Sequence, residues 1–169
     1  MKIYTKTTSQ KLPISISKAW NFLSDPKNLK TITPDYMNFK ILKGAEKKIF
    51  PGQIIQYTVT PLFGITTKWV TEITHVNYEK YFVDEQRFGP YSLWHHKHFI
   101  REIEGGVEME DIIDYKLPLG YLGQLFHPII VKPKLDEIFN YRYKKLIELF
   151  GNFNEIESYT RNESLNKII

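Results

Sequence analysis

Trp94, His96, His98, Asp111 and Tyr115 are spaced so that a β-hairpin would gather them on one face. His96 and His98 are i, i+2 neighbours, so on a strand both imidazoles reach the same space. With Asp111 they could ligate a transition metal, move a proton while the carboxylate orients the ring, or act as polar fixtures of an apolar pocket. Metal binding requires three well-placed ligands, and only the two histidines are fixed relative to each other, so no metal and no cofactor is expected. Acid–base catalysis would be supported by a nucleophile or oxyanion motif beside these residues, and no such motif stands there. Polar fixtures require only a hydrogen-bond partner each, which Asp111 and Tyr115 can supply.

The hairpin itself follows from two alternating runs, residues 91–103 and 107–117, joined at Gly105-Gly106. Both glycines accept the positive φ of a tight primed turn. With the two of them at the turn centre, Lys97 opposes Asp114 and Arg101 opposes Glu110, which marks that face as the wet one. The other face carries Trp94, His96, His98 and Ile100 with Asp111, Ile113, Tyr115 and Leu117. Moving the turn to Glu104-Gly105 puts His98 opposite Asp111 instead of Ile113, but no residue changes face.

Stepping outward, residues 2–12 read as a strand with one solvent-facing side, and Ser17 as the N-cap of a short helix holding Ala19, Trp20, Phe22 and Leu23. Asp25-Pro26 stops that helix and starts a further turn through Leu29. Residues 37–42, 53–60, 65–76 and 81–86 read as strands, each bounded by turn signals such as Pro51-Gly52, Pro61 to Gly64 and Gly89-Pro90. With the hairpin this makes about seven strands, six of them consecutive, which implies an antiparallel meander. In residues 65–73, Lys68 and Glu72 mark the outer face and leave Ile65, Thr67, Trp69, Thr71 and Ile73 inward. From Leu135 to Phe150 the apolar stripe is helical and Gly151 makes a C-terminal stop, while Pro128 and Pro133 should kink or interrupt any helix upstream. The reading is one domain over residues 1–151 and a polar tail over 152–169.

Composition narrows the function classes. The chain has 169 residues, a net charge of +4 and no cysteine, which excludes disulfides, thiolate catalysis and Cys-based metal sites. Its basic clusters are short and accompanied by no nucleic-acid module, so no nucleic-acid partner is expected. No run approaches transmembrane length and the N-terminus lacks a signal peptide's apolar segment, so the expectation is a cytoplasmic protein without stable membrane insertion. Oligomeric state is not legible.

The element order, with Ala19-Trp20-Asn21-Phe22-Leu23-Ser24-Asp25-Pro26, Val83-Asp84-Glu85-Gln86, Trp94-x-His96-x-His98, Met109-x-Asp111, Tyr115-x-Leu117-Pro118-x-Gly120 and Ile138-Phe139-x-Tyr141-Arg142, resembles the START, polyketide-cyclase and birch-pollen-allergen superfamily (SRPBCC). The resemblance covers roughly residues 1–150 and looks towards the bacterial ligand-binding branch related to the non-epimerase part of cell-division-inhibitor-like proteins. No Gly-rich dinucleotide unit is present, so an epimerase activity does not carry over. The resemblance implies an α+β helix-grip fold: a curved antiparallel sheet of about seven strands, two short helices, and a long C-terminal helix over an internal cavity. It implies binding or transport of a hydrophobic small molecule such as a lipid, polyketide or isoprenoid. The residues expected around that ligand are Trp69, Trp94, His96, His98, Asp111, Tyr115, Phe139 and Tyr141. The alternative it carries is a cyclase or aromatase using His96, His98 and Asp111 for acid–base chemistry.

Overall fold

The computed structural model describes residues 2–62 and 64–154. Strand β1 (Tyr4–Leu12) leads into α1 (Ile16–Leu23), and Ser15 rather than Ser17 is its N-cap, the hydroxyl accepting from the Lys18 N–H. The shift follows from Pro13, which cannot continue β1 ladder bonding and brings the first free capping hydroxyl forward to Ser15. A 3-10 turn (Pro26–Lys30) follows, capped by Asp25, and a second (Asp35–Met37) takes the place of the first part of the expected strand. Asn38, at φ 47°, closes this turn in the left-handed conformation, so β2 (Lys40–Lys43) is short.

The meander then runs through β3 (Gln53–Leu62), β4 (Ile65–Asn77), β5 (Tyr81–Phe88), β6 (Leu93–Ile103) and β7 (Gly106–Lys116). Among the described residues these strands form one antiparallel sheet in the order β1-β7-β6-β5-β4-β3-β2, so the first strand closes onto the last. On β4 the inward side chains are Trp69, Thr71 and Ile73, whereas Ile65 at the hairpin tip is 64% exposed. Beyond the edge of the core, alternation no longer dictates burial.

The β6–β7 turn is Glu104-Gly105, with Ile103 paired to Gly106 and His98 directly opposite Asp111. Only Gly105 takes positive φ, at 78°. Gly106 is required for another reason: a Cβ there would sit 2.1 Å from the Leu12 carbonyl oxygen of the neighbouring strand. The charge pairs read from sequence form all the same, Lys97 reaching Asp114 at 2.9 Å and Arg101 reaching Glu110 at 3.2 Å, but diagonally across the ribbon. Long cationic side chains span such diagonals, so charge matching could not separate the two registers.

After β7 the chain is helical almost without pause: α2 (Gly120–Phe126), a π turn (His127–Val131) and α3 (Lys132–Phe150). Pro128 and Pro133 each fall in the first turn of the segment they belong to. The residues before both prolines are already helical, so neither proline sits at a free helix start, and the wider π turn absorbs the ring of Pro128 instead of ending the helix. The C-terminal half of α3 lies over the β1 and β7 side of the sheet. Leu146 packs with Leu12, Trp20 and Val107, and Gln10 donates to the Tyr143 carbonyl at 2.9 Å. Phe153, just past α3, is buried against the Gly105 turn and under the Lys11 ammonium. Residues 155–169 of the expected tail lie outside the described residues.

Candidate functional site

The sheet and the N-terminal half of α3 enclose a cavity of about 210 Å³. Its walls are Ile55 and Val59 from β3, Trp69 from β4, Trp94 from β6, and Ile138 and Phe139 from α3. Trp69 and Trp94 meet edge to face at 5.4 Å, and Tyr91 packs against both. Tyr57 and Thr71 share a buried hydroxyl–hydroxyl hydrogen bond of 3.0 Å on the same lining. Leu29, exposed by 39%, also lines the space and places its rim beside the 3-10 turn.

One side of this cavity is polar. Asp84 of β5 and His96 and His98 of β6 supply it, with Asp84 directly across from His96, and Asp111 of β7, directly across from His98, backs them. Asp84 Oδ2 accepts from His98 Nε2 at 2.8 Å and lies 3.6 Å from His96 Nδ1. Asp111 Oδ1 lies 3.1 Å from His96 Nε2 and 2.7 Å from His98 Nδ1, the second contact being a close charge approach without hydrogen-bond alignment. From α3, Arg142 brings Nη1 to 3.3 Å from Asp111 Oδ2. All four of His96, His98, Asp111 and Arg142 are buried.

The electrostatics divide the two imidazoles. Burial, reinforced by the charge of His98, lowers the pKa of His96. Burial acts on His98 in the same direction but is outweighed by Asp111 and Asp84, which raise its pKa. Burial would raise Asp111, yet Arg142 and the two histidines hold it well below the usual carboxylate range. The two imidazoles are thus pushed in opposite directions, His96 towards its neutral form and His98 towards its charged one, with Arg142 as a further cation beside Asp111. Ligand atoms of Asp84, His96 and His98 lie within 4.8 Å of one another, a spacing that could hold a metal ion. A metal there would compete with the proton that Asp111 and Asp84 favour on His98.

Of the residues expected around a ligand, Trp69, Trp94, His96, His98 and Phe139 line the cavity, while Asp111, Tyr115 and Tyr141 do not. Asp111 stands behind the histidines and faces a separate polar hollow between β1 and α3. Tyr115 turns to His127, with 2.7 Å between its hydroxyl and Nε2, and burial pushes its phenol pKa up to about 12. Tyr141 is half-buried on α3. Asp84 and Arg142 are the members that alternation alone did not place. Phe82 and Val83 are both buried, so β5 offers no clean period of two, and the face of Asp84 emerges only from its pairing with His96. Gln86, two residues on, instead clamps the Tyr91 backbone through both its amide atoms.

Solved structures share this architecture. Protein CV1439 from Chromobacterium violaceum superposes with a TM-score of 0.67 at 12% identity, covering 87% of this chain and 97% of that one. Protein Ms6760 from Mycobacterium smegmatis gives 0.61 at 16% identity, over 88% and 98% of the two chains. Ara h 8.0201 gives 0.56 at 15%, over 87% and 99%. The fold is the helix grip. No protein-family model and no curated protein matches the sequence. In this helix grip the long helix packs on the sheet both at Leu146 and at Leu135, and the cavity lies beside Ile138 and Phe139 between those two contacts. No helix among the described residues is long and apolar enough to cross a membrane.

Proposed function

We propose that this protein binds a compact hydrophobic small molecule non-covalently in the helix-grip cavity, as a member of the ligand-binding branch its motifs resemble. The observation that carries the reading is an apolar cavity of about 210 Å³ with one polar side built from Asp84, His96 and His98. An apolar cavity of about 150 Å³ accommodates benzene, so this one suits a molecule of one or two rings better than an extended lipid chain. The aromatic walls supply the area and the polar side, through the Asp84 carboxylate, favours a hydroxyl group on the ligand.

An acid–base enzyme would draw on the same histidines. The binding reading is favoured because the ring nitrogens of both histidines already face Asp84 and Asp111, which holds them as fixed dipoles and charges instead of leaving one poised on a reactant.

Native mass spectrometry of protein purified from its own host tests the proposal directly. A retained organic molecule of one or two rings is the expected result. The reading fails if the protein is empty and calorimetry with two-ring phenols such as 2-naphthol shows no saturable heat.

A further inference from the structure

The segment between β7 and α3 is apolar where it meets solvent. Helix α2 has no buried residue, and Tyr121, Leu122, Leu125 and Phe126 are 88%, 60%, 64% and 50% exposed. Ile129 of the π turn adds another side chain at 72%. The β3–β4 hairpin stands beside it, since Pro61 and Gly64 line a shared surface hollow with Ile129 and Ile130, and Ile65 at that hairpin is exposed as well. An exposed apolar surface of this extent, gathered on one helix and its neighbouring hairpin, marks an interaction site.

Charge indicates the partner. From Tyr115 to Leu135 the chain has no Asp or Glu but carries Lys116, Lys132 and Lys134, and the β3–β4 hairpin tip from Thr60 to Lys68 has none either. Lys2 adds to the same region: its ammonium lies over the Tyr4 ring, and that ring stacks on His127 at 3.6 Å. Burial, with Lys2 and Lys132 next, lowers the pKa of His127. Lys132 and Lys134 reach Asp136 and Glu137 on α3 in exposed pairs that offset part of the positive charge, and with Lys2 and Lys116 the four lysines still outnumber these two acids. A second copy of the chain docking here about a two-fold axis would set lysines against lysines, with only Asp136 and Glu137, already paired to Lys132 and Lys134, to answer them. An anionic bilayer surface answers both features, taking Leu122, Leu125 and Phe126 into the headgroup boundary while its lipids neutralise the lysines.

We infer that the α2 and π-turn segment is a peripheral membrane-docking surface for anionic lipid bilayers. The inference is independent of what the cavity holds.

The test is flotation of the full chain with vesicles of pure phosphatidylcholine and of phosphatidylcholine containing phosphatidylglycerol, at low and high salt. Binding to the anionic vesicles is expected, weakened by salt, and lowered about tenfold or more in the double variant Leu122→Glu, Leu125→Glu. Both positions are exposed, so the thermal midpoint of the double variant should match that of the parent. Absence of binding to anionic vesicles at low salt overturns the inference, as does undiminished binding by the double variant. A dimer seen by light scattering that the double variant dissolves, with no vesicle binding by either protein, overturns it in favour of a second copy.

Discussion

His98 lies directly opposite Asp111 in the β6–β7 register, and its Nδ1 comes within 2.7 Å of the Asp111 carboxylate. Together with Asp84 this raises the His98 pKa against the pull of burial. The native state thus holds the His98 proton more tightly than the unfolded chain does. The stabilisation is complete below the ordinary histidine value near 6.5 and is lost as pH rises through the higher native value. His96 has the opposite sign, its contribution being present above that value and lost as pH falls through the lower native one. Histidine ring resonances should therefore titrate in two steps, His98 above and His96 below the ordinary value. Urea midpoints should show the deficit of His98→Gln greatest at or below about pH 6.5 and shrinking as the solution becomes more alkaline. A deficit independent of pH would show that His98 contributes packing alone.

Arg142 is the cation that α3 contributes to the buried cluster, 3.3 Å from Asp111. Replacing it with Met keeps the aliphatic volume beside Phe139 but leaves Asp111 with too little positive charge, which for a buried pair costs about 3–5 kcal/mol. Asp111→Asn in the same background should recover much of that loss, because it removes the charge left unanswered. Denaturant unfolding of the two single variants and the double variant measures the coupling, and strictly additive losses would show that Arg142 and Asp111 act independently.

Much of the polar side was legible before the fold was. The i, i+2 spacing of His96 and His98 and the charged outer face of the hairpin sufficed to turn Trp94, His96, His98, Asp111 and Tyr115 inward, whichever register was taken. Inward is not the same as cavity-facing, however. Tyr115 points in and is consumed by His127, and Asp111 points in and is screened by the histidines in front of it. Which inward residues border empty space depends on the distance between α3 and the sheet, which is set by Leu146 packing among Leu12, Val107 and Met109 and by Leu135 packing among Ile113, Tyr115 and Leu117. No local pattern encodes that distance. Likewise the prolines forecast an interruption, while the π turn that absorbs it depends on contacts such as the Tyr4–His127 stack.

Gly105 and Gly106 look equivalent in sequence and should respond differently. Gly105→Ala places a methyl group at φ 78°, in ordinary contact with the Phe153 ring, where the cost is about 1–2 kcal/mol of backbone strain. Gly105→Asn should cost less, as asparagine tolerates that conformation. Gly106→Ala drives a Cβ to 2.1 Å from a backbone oxygen of β1, an atom that cannot swing aside, so β1 must separate from β7. The expected order of stability is parent, Gly105→Asn, Gly105→Ala, Gly106→Ala, read from denaturant midpoints. Equal losses at the two glycines would show that β1 yields freely.

The cavity can be altered from its more tolerant wall. Ile138 is half-buried on α3 and lines the cavity, whereas Val59 opposite it on β3 is buried in the sheet, so a change at 138 disturbs packing least. Ile138→Phe adds ring volume to a space of about 210 Å³ and should weaken binding of a two-ring phenol such as 2-naphthol by about tenfold or more. Ile138→Ala enlarges the same space and should retain binding, at a cost in stability below the 2–5 kcal/mol typical of a fully buried aliphatic residue. Calorimetric titration of the parent and both variants reads the pair against each other. If phenylalanine and alanine at 138 weaken binding equally, the ligand sits elsewhere and the helix merely transmits the damage; if only phenylalanine does, the molecule occupies the space between Ile138 and the Asp84, His96, His98 side.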